Sequence, residues 1–256
     1  MKKLTLSAVA LLVFVVLVFQ GVSFVQERSL RQRLIAEQQV IEKPVVERPA
    51  SRSSSTATSA AASVSDLRRD AVNWDVPFTS QAPFGVWDEL HGEACEEASV
   101  LMVMRYFAGK KIASPDDADS ALQHLVAANT ALGFAVDDTA AEIITLLRSE
   151  DPSLSAVLLK NPSIDDLKSV LSKGSLVIVP AAGQQLGNPY FRRPGPRYHM
   201  LVLRGYTKDG YAITNDPGTK NGEQYAYRWE VLLNAIHDWN GGEVESGEKV
   251  VIVVSR

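Results

Sequence analysis

A single cysteine, Cys95, stands at the end of Gly92-Glu93-Ala94-Cys95 and heads an apolar run that closes with Tyr106-Phe107. Ala98, Leu101, Met102 and Tyr106 recur at helical spacing, which predicts a helix with the thiol in its first turn and on its inward face. Unpaired amide N–H groups and the helix dipole favour negative charge at that end, so a thiol there is eased toward the thiolate. A lone cysteine is often no more than a small buried hydrophobe, and the residues that give Cys95 a chemical reading lie far along the chain. His199 opens a loosely alternating stretch to Tyr206, and Asp216 lies just past a second stretch, Tyr211 to Thr214, across a Lys208-Asp209-Gly210 turn. Such a turn predicts a hairpin, and counting outward from Tyr206 and Tyr211 brings His199 to within about two residues of Asp216. A histidine whose tautomer is held by a carboxylate is the base that a thiol nucleophile requires. Gln81, at the end of the extended Val76-Pro77-Phe78-Thr79-Ser80-Gln81 stretch, carries a side-chain amide suited to a developing oxyanion.

Each residue also has a structural reading. His199 fits a hydrogen-bonded core histidine, and Asp216 fits a turn former in Asn215-Asp216-Pro217-Gly218. In His91-Gly92-Glu93-Ala94-Cys95 the alternation of His, Glu and Cys invites a metal site. The Pro-Cys-x-x-Cys and His-Glu-x-x-His partners of such sites are absent from the sequence. No metal and no cofactor is expected. His124 and His237 read as solvated.

Several elements must position these groups. Ser114-Pro115-Asp116-Asp117 caps a helix to about Leu132, Asp137-Asp138 starts another, and Ser163-Ile164-Asp165-Asp166 starts a third that Gly174 closes. From Leu176 onward the apolar pattern shifts to strands, with β-branched residues at 250–254 ending the chain and a short helix expected over 228–237. Helices first and strands afterwards predict an α+β fold, the Cys95 helix packed on a mostly antiparallel sheet.

The first 25 residues differ from the rest. After Lys2-Lys3, residues 4–25 carry no charge, and 22 residues at about 1.5 Å each cover a ~30 Å hydrocarbon layer. With no clear Ala-x-Ala site beyond it, the segment reads as an uncleaved signal-anchor that tethers an extracytoplasmic domain to the cell membrane by a single pass. Residues 26–70, stopped by Pro44 and Pro49 and then rich in Ser, Ala and Thr, read as a stalk. The remaining domain, 71–256, holds 16 Lys and Arg against 24 Asp and Glu. A net charge of −8 repels phosphate backbones, which excludes nucleic acid as a partner class.

Val-Pro-Phe-x-x-Gln followed by Trp87 and a helix-opening Cys95, then Tyr198-His199-Met200-Leu201-Val202-Leu203-x-Gly205-Tyr206 and Asn215-Asp216-Pro217-Gly218, resemble the papain-like cysteine peptidases related to the bacteriocin-processing, double-glycine leader peptidases. The resemblance runs from about Trp74 to Ile236. It implies a papain-like fold and cleavage of a peptide or protein substrate. Cys95 would be the nucleophile, His199 the base and then the acid, and Asp216 the residue that orients His199. Gln81 and the Cys95 backbone N–H would form the oxyanion hole. One departure stands out: these families often carry Cys-Gly-Pro, whereas this chain has Cys95-Glu96-Glu97 with Glu93 nearby. A carboxylate facing the sulfur opposes thiolate formation.

The 182–198 loop directly precedes His199 and carries Arg192, Arg193 and Arg197. A loop of that length beside a reactive histidine shapes a substrate groove, so Arg192, Arg193 or Arg197 is expected to meet a carboxylate or acidic side chain of the substrate, and Trp87 is grouped with them as substrate-binding. The alternative is a catalytically silent papain-like module that binds at the cell surface, and the acids around Cys95 are its best argument.

Overall fold

The structure is a computed structural model that describes residues 70–256. The signal-anchor expected at 4–25 and the stalk up to 69 lie outside the described residues. Among the described residues no helix is long and apolar enough to cross a membrane.

The described residues form five α-helices and seven strands. The Cys95 helix forms as its apolar spacing predicts, at Cys95–Phe107 (α1), and Ser114 caps α2, Pro115–Ala131, by accepting from the Asp117 N–H. The third helix starts later than Asp137-Asp138 suggests. Thr139 and Glu142 form a reciprocal capping box, so α3 runs Ala140–Glu150, and Asp138 instead turns inward to Asn129. Ser163 and Asp166 make the same box at the head of α4, Ile164–Ser172, and α5 is Trp229–Ala235.

The strands are β1 Val72–Asn73, β2 Ser155–Lys160, β3 Leu176–Ala182, β4 Tyr198–Tyr206, β5 Tyr211–Asn215, β6 Tyr225–Arg228 and β7 Val250–Ser255. They form one sheet in the order β2-β7-β3-β4-β5-β6, with β1 also on β4, and every pairing is antiparallel. Gly205 makes room for β1, since a Cβ there would lie 2.1 Å from the Val72 carbonyl oxygen. The helices-then-strands order is corrected by β2, which sits between α3 and α4. Its Ser-Ala-Val-Leu-Leu-Lys sequence lacks alternation, and as an edge strand it leaves Val157 and Leu158 exposed.

Both faces of the sheet are covered. Tyr198, Met200 and Val202 of β4 join α1, α2 and α3 in one core, while Leu201 and Leu203 join α4 and α5 in the other. Burial on both sides explains why β3 reads as a continuous apolar run and why β4 alternates only loosely. The hairpin from β4 to β5 forms across Asp209-Gly210, with a register shift between Leu203 and Gly205.

Candidate active site

α1 begins at Cys95 itself, preceded by Ala94, which offers no side-chain cap. Cys95 is 7% exposed, and its sulfur donates to Glu96 Oε2 at 2.8 Å. The backbone N–H of Met200, the residue after His199, also bonds to it. Burial pushes the thiol well above its ordinary range, and the Glu96 carboxylate adds to the effect, against the Met200 N–H. In this arrangement Cys95 is a thiol rather than a thiolate.

Behind the sulfur lies a set of buried carboxyls. Glu96 and Glu97 turn inward although they occupy the first turn of a helix, and Glu96 Oε1 and Asp138 Oδ1 have no hydrogen-bond partner. Burial first, and then neighbouring acids, raise these groups: Glu96 well above the carboxylate range, and Glu97 and Asp138 each to about 7.

The other half of the site is fully paired. His199 Nε2 donates to Asp216 Oδ1 at 2.8 Å, and both side chains are buried. The strand register explains the contact. Val202 pairs with Asn215 and Leu203 with Thr214, so Asp216 lies two positions short of the point opposite His199, as the hairpin count anticipates. The imidazole fits against Gly218, where a Cβ would come within 2.9 Å of its Cε1, and it meets the Phe191 ring edge to face at 5.3 Å. Burial would raise the Asp216 carboxyl, but the His199 charge and the hydrogen bonds from His199, Tyr227 and Gly218 outweigh it and hold the group below its ordinary range. Asp216 is therefore an acceptor only, which fixes the Nε2–H tautomer of His199 and leaves Nδ1 as its basic nitrogen.

The structure thus brings Cys95 beside the backbone that carries His199, and joins His199 to Asp216. The thiol's hydrogen bond goes to Glu96, and no hydrogen bond between the thiol and the His199 imidazole is present among the described residues. His199 shares the parity of Leu201 and Leu203, whereas Cys95 packs with Tyr198 and Met200.

Gln81 is tied to both halves. Its backbone N–H donates to the Pro217 carbonyl, next to Asp216. Its Nε2 donates to the carbonyls of His91 and Gly92 at 3.0 and 3.1 Å, bracing the turn that delivers Cys95. Both amide hydrogens are thereby committed to that turn. Trp87 is 38% exposed on the same segment. Of the loop arginines, Arg193 and Arg197 are exposed and Arg192 is half-buried. Arg197 donates to the Gly242 carbonyl and so ties the loop to another turn.

His91 sits between Asp88 and Asp119, each ring nitrogen within 2.8 Å of a carboxylate oxygen. His124 is solvated as expected and pairs with Glu150, whereas His237 is buried, its Nδ1 bonding to the Gly247 carbonyl. Two residues on Asp216 escape sequence reading altogether. Asn188 lies in the loop singled out for its length, and Tyr227 lies on β6, a short edge strand with no distinct pattern.

A thiol at a helix N-terminus, set beside the strand that bears a carboxylate-held histidine in an α+β fold, is the layout of a papain-like cysteine peptidase. The model of the Peptidase_C39 like family matches residues 74–241, about two thirds of the chain, and the protein belongs to that family of cysteine peptidases. A crystal structure of a candidate C39-like peptidase from Bacillus anthracis is similar at 18% identity and a TM-score of 0.48, over 73% of this chain and 98% of that one. No curated protein matches. The family match alone carries the assignment.

Proposed function

We propose that this peptidase hydrolyses peptide or amide bonds through Cys95, His199 and Asp216, as an extracytoplasmic domain tethered to the cell membrane by residues 4–25. The observation that carries the reading is the buried His199–Asp216 pair, set one residue along β4 from the N–H that touches the Cys95 sulfur. With Nε2–H held by Asp216, His199 Nδ1 takes the thiol proton once Cys95 turns from Glu96. The thiolate attacks the scissile carbonyl carbon, and the π electrons move to oxygen. The Cys95 backbone N–H stabilises that oxyanion, joined by Gln81 once it releases one of its two carbonyls. Collapse breaks the C–N bond, and the Nδ1 proton leaves with the amine. Water, deprotonated by His199, then hydrolyses the thioester. The exposed Trp87, Arg193 and Arg197 and the half-buried Arg192 are assigned to the substrate groove.

The test is alkylation of Cys95 by iodoacetamide across pH in the full-length chain, beside digestion of a mixed peptide library read by mass spectrometry. Wild type is expected to label in the folded state at a rate that depends on the His199 base, and to cut peptides, with both activities lost in His199→Ala. A thiol that labels only after denaturation would overturn the reading in favour of the silent binding module, which the Cys95–Glu96 hydrogen bond favours.

A further inference from the structure

Four donors converge on the fully buried Asp216. Oδ1 accepts from His199 Nε2 at 2.8 Å and from the Gly218 N–H at 3.0 Å; Oδ2 accepts from the Tyr227 hydroxyl at 2.6 Å and from Asn188 Nδ2 at 3.0 Å. A carboxylate has about four lone-pair sites, and all four are used. The pattern admits one arrangement. Asn188 spends its second amide hydrogen on the Tyr227 oxygen at 2.8 Å, so the Tyr227 proton has only Asp216 to go to. The Asn188 amide is itself oriented, because its Oδ1 accepts from the Tyr190 N–H at 3.0 Å.

The origins of these donors matter as much as the contacts. Asn188 belongs to the loop that precedes His199, and its carbonyl accepts from the Phe191 N–H, whose ring packs edge-on against His199. One short stretch of loop therefore holds both the carboxylate and the imidazole. Tyr227 reaches the same oxygen from β6, across the sheet from β4.

We infer that Asn188 and Tyr227 are positioning residues: by filling Asp216 Oδ2 they aim Oδ1 at His199 Nε2 and keep the carboxylate charged, so the 187–197 loop sets the competence of the base. The inference rests on the reading of Cys95, His199 and Asp216 as a triad. The side-chain hydrogen bonds of both residues go to Asp216, to each other and to the Tyr190 N–H. Loss of either donor leaves Asp216 less neutralised in a site that excludes water, so it protonates more readily and releases His199 at a higher pH.

Two measurements on the full-length chain test this, with Tyr227→Phe as the clean deletion of one hydroxyl and Asn188→Asp as the replacement of a donor by a like charge. The first is the pH profile of Cys95 alkylation by iodoacetamide. Its acid limb is expected to move up by about one pH unit in Tyr227→Phe and further in Asn188→Asp. The second is the low-field resonance of the His199 Nε2 proton in a 15N-histidine sample, assigned by its loss in His199→Ala. It is expected to move upfield and exchange faster with water in both variants, whose far-ultraviolet circular dichroism stays that of wild type. Profiles and resonance superimposable on wild type would overturn the positioning role while leaving the triad intact. A wild-type thiol indifferent to His199→Ala would instead sink the triad, and the resonance would still decide what Asn188 and Tyr227 do for the pair. Should one variant unfold, the other reads the same limb and the same proton.

Discussion

The two halves of the site lie on either side of β4 and follow opposite electrostatic rules. Around Asp216 one buried charge is met by four donors, one of them the His199 imidazole, and its proton affinity is lowered in spite of burial. Around Cys95 the buried carboxyls of Glu96, Glu97 and Asp138 crowd together with few donors, and all are raised. Desolvation is strong in both places, so it cannot be what separates them. The difference lies in the number of hydrogen bonds aimed at the ionised form. One half is built to hold a charge at neutral pH, and the other to hold protons.

The largest expected effect strikes the paired half. Asp216→Ala leaves the Tyr227 hydroxyl, an Asn188 hydrogen and the Gly218 N–H without their acceptor, and should lower stability by about 3–5 kcal/mol in urea unfolding. Cys95 alkylation in that variant should follow the profile of a thiol without a base. A loss below about 1 kcal/mol would mean that the four bonds to Asp216 are worth little more than those of an exposed group.

The crowded half gives the opposite dependence on pH. Glu97, raised from 4.5 to about 7, binds its proton more tightly in the folded state than in the unfolded one. Its stabilising contribution is therefore complete below the unfolded value and is lost as pH rises through about 7. Glu97→Gln, which stays neutral, should match wild type near pH 4 and exceed it by about 2–3 kcal/mol at pH 8 in parallel unfolding curves. Equal curves at both pH values would show that water or a rearrangement already relieves the charge. Gly218 belongs to the paired half, its N–H on Asp216. A methyl group there would meet both the His199 ring and the Phe191 ring inside contact distance, so Gly218→Ala should cost about 1–3 kcal/mol and slow His199-dependent alkylation.

How much of this was legible in the sequence follows the same division. The α1 helix, the β4–β5 hairpin and the nearness of His199 to Asp216 are set by local signals: helical spacing behind Cys95 and an Asp-Gly turn at fixed distance from both ends. The donors that complete Asp216 are not local. Asn188 and Tyr227 are single residues from a loop and an edge strand, and only the folded sheet places them on one oxygen. Glu96 and Glu97 were legible as a departure beside Cys95, but their burial was not. Acids in a first helical turn normally face water and complement the dipole, yet here they are 1% and 5% exposed, because α1 enters the core at its N-terminus. Burial also corrects the reading of His237, which bonds to the Gly247 carbonyl.

Glu96→Gln makes the smallest change and the sharpest test of the comparison. The Cys95 thiol is raised first by burial and then by the Glu96 charge and hydrogen bond. Glutamine keeps the volume and an acceptor oxygen but removes the charge. If the two halves are as different as their hydrogen bonding implies, this single neutralisation moves Cys95 toward the rule that governs Asp216. Alkylation at pH 7 should then rise about tenfold, the equivalent of roughly 1.4 kcal/mol, and the gain should vanish in the double variant with His199→Ala, since a thiolate freed from Glu96 still needs the imidazole for its proton. An unchanged rate would place the obstacle in burial alone. A gain that survives without His199 would mean that the sulfur and the imidazole act independently.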